Sequence, residues 1–300
     1  MKQSKFSFLS AAAIITLLVM ALGSFSQPVM AADSDPNKPG DIPTIKTQTV
    51  HDQTNEKTAK DKTAFGGDVF GLGWYERPFD QNMGYLPFMD IAKILMNRED
   101  PNWVYVQMFM VNPLSEGDAS KPLYGIEMDT DLDNRGEFIL LASTPKGTEW
   151  STEGVMIMSN SDNNMGGIKP VLPDTKLSDA KGYDKEVFNS GKGDDPNLAW
   201  ARISPKDPKC IQFAFKSSFI GGAKGKFIWM PWALVGVQDL TKFEFNDKFT
   251  REEAGSPLKS DGATYPLKSL WGVDNTARIP SGFVPTGNMP GLAEPFQIKP

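Results

Sequence analysis

A chain of 300 residues with 31 basic and 37 acidic side chains carries a formal charge of −6; that balance repels phosphate backbones and anionic headgroups, so a nucleic-acid partner is not expected. His51 is the only histidine and Cys210 the only cysteine. A Ser-His-Asp or Cys-His nucleophile system in the folded part, a His-built zinc site, a His-ligated haem and a disulfide within the chain are thereby excluded.

Residues 1–32 begin with Lys2 and Lys5, continue through an apolar stretch over 8–22 and close on Ala31 and Ala32. This is the order of a secretory signal peptide and predicts cleavage there, with export to the periplasm or the cell exterior. Without that segment 29 basic residues stand against 37 acidic ones, a charge of −8. An uncleaved N-terminal anchor is the rival reading, but the apolar stretch is short for a bilayer crossing and no other run approaches that length, so the mature chain is expected to have no membrane span. Residues 33–64 lack aromatic side chains and are rich in Asp, Lys, Thr and Asn; such a composition buries too little to order itself, which predicts a flexible linker holding a solvated His51.

At Phe65 the texture changes. Aromatic residues alternate with Gly66, Gly67, Gly71 and Gly73, but no dinucleotide or Walker pattern is present, and tight turns between short strands are expected. Residues 88–97 and 103–111 read as strands around the turn Glu99-Asp100-Pro101-Asn102. Further strands are predicted over 124–128, 138–142, 154–159, 198–204, 210–216 and 227–232, while 168–195 reads mostly as loop. Residues 251–300 contain seven Pro and six Gly yet keep anchors such as Leu270, Trp271, Val273 and Ile279, which predicts an irregular strap packed on the domain. Short strands with turn signals point to one all-β domain over 65–250, an antiparallel β-sandwich of jelly-roll kind. Cys210 lies among Ile211, Phe213 and Phe215 and reads as a small buried thiol.

The hairpin over 126–142 holds the candidate site. Asp129, Asp131 and Asp133 alternate along its loop, Arg135 can offer its backbone carbonyl, and Glu137 stands at the start of the next strand. A hard cation takes six to eight oxygens, and alternate side chains of a curled loop supply several of them, so Ca²⁺ is the expected ion. Asn134 stands where glycine is usual in such loops, and Asn tolerates left-handed backbone. A plain polar turn is the alternative. It gains nothing from three Asp within five residues, where each like-charge pair costs somewhat under ~1 kcal/mol in bulk water.

The order Asp90-Ile91 before a strand, the turn and strand over 100–105, and Ile126-Glu127-Met128-Asp129 before a loop resembles the DOMON-like and family-9 carbohydrate-binding-module-like β-sandwiches. The resemblance covers about residues 65–232. It implies binding of a sugar, or of haem in the cytochrome branch, which the lone histidine disfavours. The ending from Asp274 onward is similar to that of exported bacterial proteins. The expected function is a secreted, calcium-stabilised binding module for a glycan or cell-surface ligand. A structural or adhesive surface protein comes second. A carboxylate-based glycan-acting enzyme comes third: such chemistry needs no histidine, but the acids here crowd one short loop instead of facing each other across a cleft. Sugar recognition would use exposed aromatic faces, and at most one or two of the seven tryptophans are expected at the surface.

Overall fold

The computed structural model describes residues 35–44, 48–52, 54, 75–113, 120–132, 136–162, 181–237, 239–242, 270–276 and 279–281. The chain divides into residues 1–34 and 35–300, and the fold below is that of the second unit; the predicted signal segment and the glycine-rich stretch before Tyr75 lie outside the described residues.

The strands are β1 (Gln48–His51), β2 (Glu76–Arg77), β3 (Ile91–Asn97), β4 (Trp103–Met110), β5 (Leu123–Asp129), β6 (Phe138–Ser143), β7 (Val155–Asn160), β8 (Tyr183–Asn189), β9 (Lys192–Gly193), β10 (Ala199–Ile203), β11 (Cys210–Lys216), β12 (Phe227–Val235), β13 (Gly272–Asn275) and β14 (Ile279–Ser281). They form two antiparallel sheets. One is five-stranded, in the order β1-β3-β4-β11-β10; the other is nine-stranded, in the order β2-β13-β12-β5-β6-β7-β8-β9, with β14 also on β12. The fold is an all-β sandwich, as the spacing of short apolar strands predicts.

Alternation places the core. Ile94, Met96, Val104, Val106, Met108, Ile211, Phe213 and Phe215 point inward from the first sheet and meet Tyr124, Ile126, Met128, Leu140, Ala142, Phe227 and Trp229 of the second. Successive side chains of a strand take opposite faces, so every second residue of these strands joins one core. The nine-stranded sheet is buried on its other face as well, where Ile139, Leu141, Met230, Trp232, Leu234 and Val273 pack with Tyr75, Tyr183 and Leu270. This is why β12 reads FIWMPWALV without a polar residue and is buried along its whole length; a strand covered on both faces has no side to leave polar. Its proline falls at the one interruption in the ribbon alongside. β14 pairs with 227–229 and β13 with 232–235, and the gap includes Pro231, which has no N–H to give to a ladder.

Three sequence expectations are corrected. Residues 48–51, assigned above to a linker, form β1 and pair along their length with β3, burying Val50 in the core; composition averaged over a polar segment hides a four-residue strand that gains its ladder from a neighbour distant in sequence. Part of the segment 168–195, read as loop, is β8: Tyr183 and Phe188 are buried while the residues between them are half-buried or exposed, and its pairing with β7 is broken by two register shifts. The predicted strap is, over 272–275 and 279–281, not laid over the sandwich but built into its sheet. Among the described residues no helix is long and apolar enough to cross a membrane.

Candidate metal centre

Strand β5 reads LYGIEMD, apolar but for the buried Glu127, and ends on Asp129, which is 1% exposed. The chain turns through Thr130, Asp131 and Leu132 and re-enters the sheet at Gly136 and Glu137. The Glu137 N–H donates to Met128 O at 3.0 Å and its carbonyl accepts from Asn160 N–H at 3.0 Å. Glu137 is thus fixed between β5 and β7 before β6 begins, with its side chain turned back over the loop. One carboxylate oxygen each from Asp129, Asp131 and Glu137 lies within 4.8 Å of the others. Oxygens sharing a Ca²⁺ shell at 2.3–2.6 Å stand at most about 5 Å apart, so these three fit a single ion. Of the five residues predicted as ligands, the structure brings these three together; Asp133 and Arg135, like Asn134, lie outside the described residues.

The loop is shaped by its own carboxylates. Leu132 N–H donates to Asp129 Oδ1 at 2.6 Å, and Thr130 Oγ1–H and Asp131 N–H donate to Glu137 Oε2 at 2.9 and 3.4 Å. Left-handed backbone is found at Leu132, at φ 71°, which costs a non-glycine residue roughly 1–2 kcal/mol. At Gly136 a side chain would collide with Tyr183 Oη and Glu127 Cγ, at 2.4 and 2.5 Å from its Cβ; only glycine lets the loop close there.

Glu137 is electrostatically unusual. Its Oε1 is buried and accepts no hydrogen bond from the described residues. Burial, offset in part by the Thr130 donors and reinforced by the charges of Asp129 and Asp131, pushes its carboxyl up to about 7. A cation lying among the three would reverse that balance, because it favours the ionised form.

A second acidic cluster was not visible in the sequence. Glu76, Asp90 and Asp274 have no exposed surface, and an oxygen from each falls within 4.8 Å of the others. Glu76 and Asp274 are direct cross-strand partners on β2 and β13, and Asp90 precedes β3. Asp274 Oδ2 accepts from Ile91 N–H at 2.5 Å, and Asp90 Oδ2 from the Tyr85 hydroxyl at 2.7 Å. Carboxylates this close and this buried ionise together only with positive charge among them. Asp90 and Asp274 are 184 residues apart, and their positions in sequence give no sign that they meet.

Among the described tryptophans none is exposed. Trp103, Trp150, Trp229 and Trp232 are buried, and Trp200 and Trp271 are half-buried; Trp74 lies outside the described residues. No protein-family profile, curated protein or solved structure matches the chain.

Proposed function

We propose that the chain is an exported, calcium-stabilised β-sandwich binding module for a glycan or cell-surface ligand, with Ca²⁺ held by Asp129, Asp131 and Glu137, and by Asp133 and the Arg135 carbonyl from the rest of the loop. The observation that carries the metal reading is that a carboxylate oxygen of Glu137 lies within reach of one ion together with oxygens of Asp129 and Asp131, while its Oε1 is buried and accepts no hydrogen bond from the described residues. An all-oxygen donor set suits Ca²⁺ better than Mg²⁺, which demands octahedral geometry and keeps its water. The ion ties the end of β5 to the start of β6 and removes the repulsion within the loop. The signal-like start of the chain supports export. The resemblance to DOMON-like and family-9 carbohydrate-binding-module-like sandwiches supports a sugar ligand, and the half-buried or buried state of the described tryptophans favours a recessed ligand site over a flat stacking platform. The acids of the loop crowd one cation site instead of facing each other across a cleft, so the reading is non-enzymatic.

Thermal melting of wild type and Asp131→Ala in chelator, Ca²⁺ and Mg²⁺ tests the metal site. Asp131 is exposed and packs no core, so the variant should fold and lose the calcium response. With calcium at ten times Kd, binding to the native state alone adds about 1.4 kcal/mol, or about 3–5 °C for a domain of this size. Equal melting of the wild type in calcium and chelator, with no binding heat at millimolar Ca²⁺, would reduce the loop to a turn.

A further inference from the structure

The face of the five-stranded sheet turned away from the main core carries a row of side chains running straight across it. Leu95, Gln107, Gln212 and Arg202 stand opposite one another on β3, β4, β11 and β10. The polar members are oriented through one another: Arg202 Nε–H donates to Gln212 Oε1 at 2.7 Å, and Gln212 Nε2 donates to Gln107 Oε1 at 3.2 Å. Each amide has its oxygen engaged by its neighbour, so the chain ends on the Nε2 donor of Gln107. Arg202 is held from a second side by the Trp150 ring, 4.2 Å beneath its guanidinium. One row over, Lys93 Nζ lies 4.4 Å above the Phe109 ring.

A cleft of about 430 Å³ stands on this row, within the range of sites that enclose small molecules. One wall is the extended segment 41–44, which side chains of the sheet and of Trp150 hold in place. Gly40 N–H donates to the Tyr105 hydroxyl at 3.1 Å, Trp150 Nε1–H donates to Gly40 O at 3.0 Å, and Asn97 Nδ2 donates to Pro43 O at 3.1 Å. The opposite wall is the turn 204–207, tied by Ser204 N–H to Cys210 O at 2.8 Å and by Lys206 N–H to Ser204 Oγ at 3.2 Å. The cleft is therefore formed in advance by backbone and side-chain bonds on both sides, and a ligand entering it orders little more.

Its chemistry is mixed in a defined way. Leu95, Phe109 and Pro43 offer apolar surface, the amide–guanidinium row offers planar polar groups, and Asp41 and Asp207 add acceptors. Hydroxyl groups, each both donor and acceptor, match such a lining. The charges of the lining balance: Arg202 of the floor feels Asp41 and Glu149, and Lys206 stands beside Asp207 in the turn. With two acids, Asp41 and Asp207, against two bases, Arg202 and Lys206, the net charge of the lining selects neither an anion nor a cation.

We infer that this cleft is the ligand site of the module and that it takes a neutral saccharide, a mono- or disaccharide unit, with its hydroxyls on Gln107, Gln212 and Arg202 and its C–H faces on Leu95, Phe109 and Pro43. The inference rests on the binding-module reading but not on the calcium loop. Titration of the calcium-loaded protein with maltose, cellobiose and N,N′-diacetylchitobiose, followed by ¹⁵N NMR, should move the side-chain amide signals of Gln107 and Gln212 and the Arg202 Nε–H signal. Gln107→Leu should weaken that binding about 2- to 10-fold, the loss of one hydrogen bond to a neutral group, without changing the melting temperature greatly. The chemical-shift readout needs no variant, so it stands if Gln107→Leu folds poorly. A neutral sugar that binds with these three signals unmoved places the site elsewhere and overturns the inference, while the binding-module reading survives. Movement with glucuronate or inorganic sulfate alone overturns the ligand class. Binding of none of these sugars overturns the inference, and glycan recognition falls with it.

Discussion

Protonation of Glu137 should couple calcium binding and stability to pH in opposite directions. Without metal, the folded carboxyl holds its proton up to about 7, against an ordinary value of 4.5. Between these two values the native state binds more protons than the unfolded chain, so stability falls as pH rises through that window and levels off above it. The shift, at 1.36 kcal/mol for each pH unit, sets a ceiling of ~3 kcal/mol; because the group is half-buried and screened by water, about 1–2 kcal/mol is expected. Calcium requires the ionised form, so its apparent affinity should rise about tenfold for each pH unit below 7 and flatten above it. Calcium at ten times its high-pH Kd should add about 1.4 kcal/mol at pH 8, but at pH 5.5 the same concentration is roughly a third of the apparent Kd and adds only ~0.2 kcal/mol. In melting temperature this is a gain of about 3–5 °C at pH 8 against under about 1 °C at pH 5.5. Glu137→Gln keeps an acceptor for the Thr130 donors and removes the charge. It should abolish both the calcium gain and the decline of metal-free stability between pH 4.5 and 7. Melting curves in calcium and chelator at the two pH values decide the matter: an equal calcium shift at pH 5.5 and 8, or an undiminished one in Glu137→Gln, refutes the assignment of Glu137 as a ligand.

Three further outcomes follow from the packing. At Gly125 an added Cβ would stand 1.8 Å from the Leu140 carbonyl oxygen, so Gly125→Ala should cost about 3 kcal/mol or more in urea denaturation, whereas Gly147→Ala, which meets nothing within 4 Å, should stay within about 0.5 kcal/mol of wild type. Burial pushes the Cys210 thiol up to about 12. A disulfide reagent at pH 8 should leave the native protein unlabelled and react fully in guanidinium, since the thiolate is the reactive form; rapid native labelling would contradict the buried placement. Tyr105→Phe removes the hydroxyl that accepts Gly40 N–H. It should speed hydrogen exchange at Gly40 while changing global stability by ~1 kcal/mol or less, and unchanged exchange there would show that the segment 35–44 is held by other contacts.

Much of the sandwich can be read from local pattern. Strands β4, β7, β11 and β12 are apolar runs or alternations bounded by turn residues, and the hairpin of β5 and β6 is marked by the acids between them; hydrophobic periodicity is a property of consecutive residues and needs no knowledge of partners. That Asp129, Asp131 and Glu137 meet was legible for the same reason, because they lie within nine residues and one turn joins them. Other features depend on partners far away in the chain. The four residues of β1 become a strand only because the edge of β3 offers a ladder. Gly272–Asn275 enters a sheet only because β2 and β12 flank it. The same register that seats β13 sets Asp274 opposite Glu76, and it brings Gln107, Gln212 and Arg202 into one line across three strands. Register is fixed by how whole faces bury against each other, since a slip of one residue turns every side chain to the opposite face. No local stretch of sequence contains that information; only the assembled sheets do.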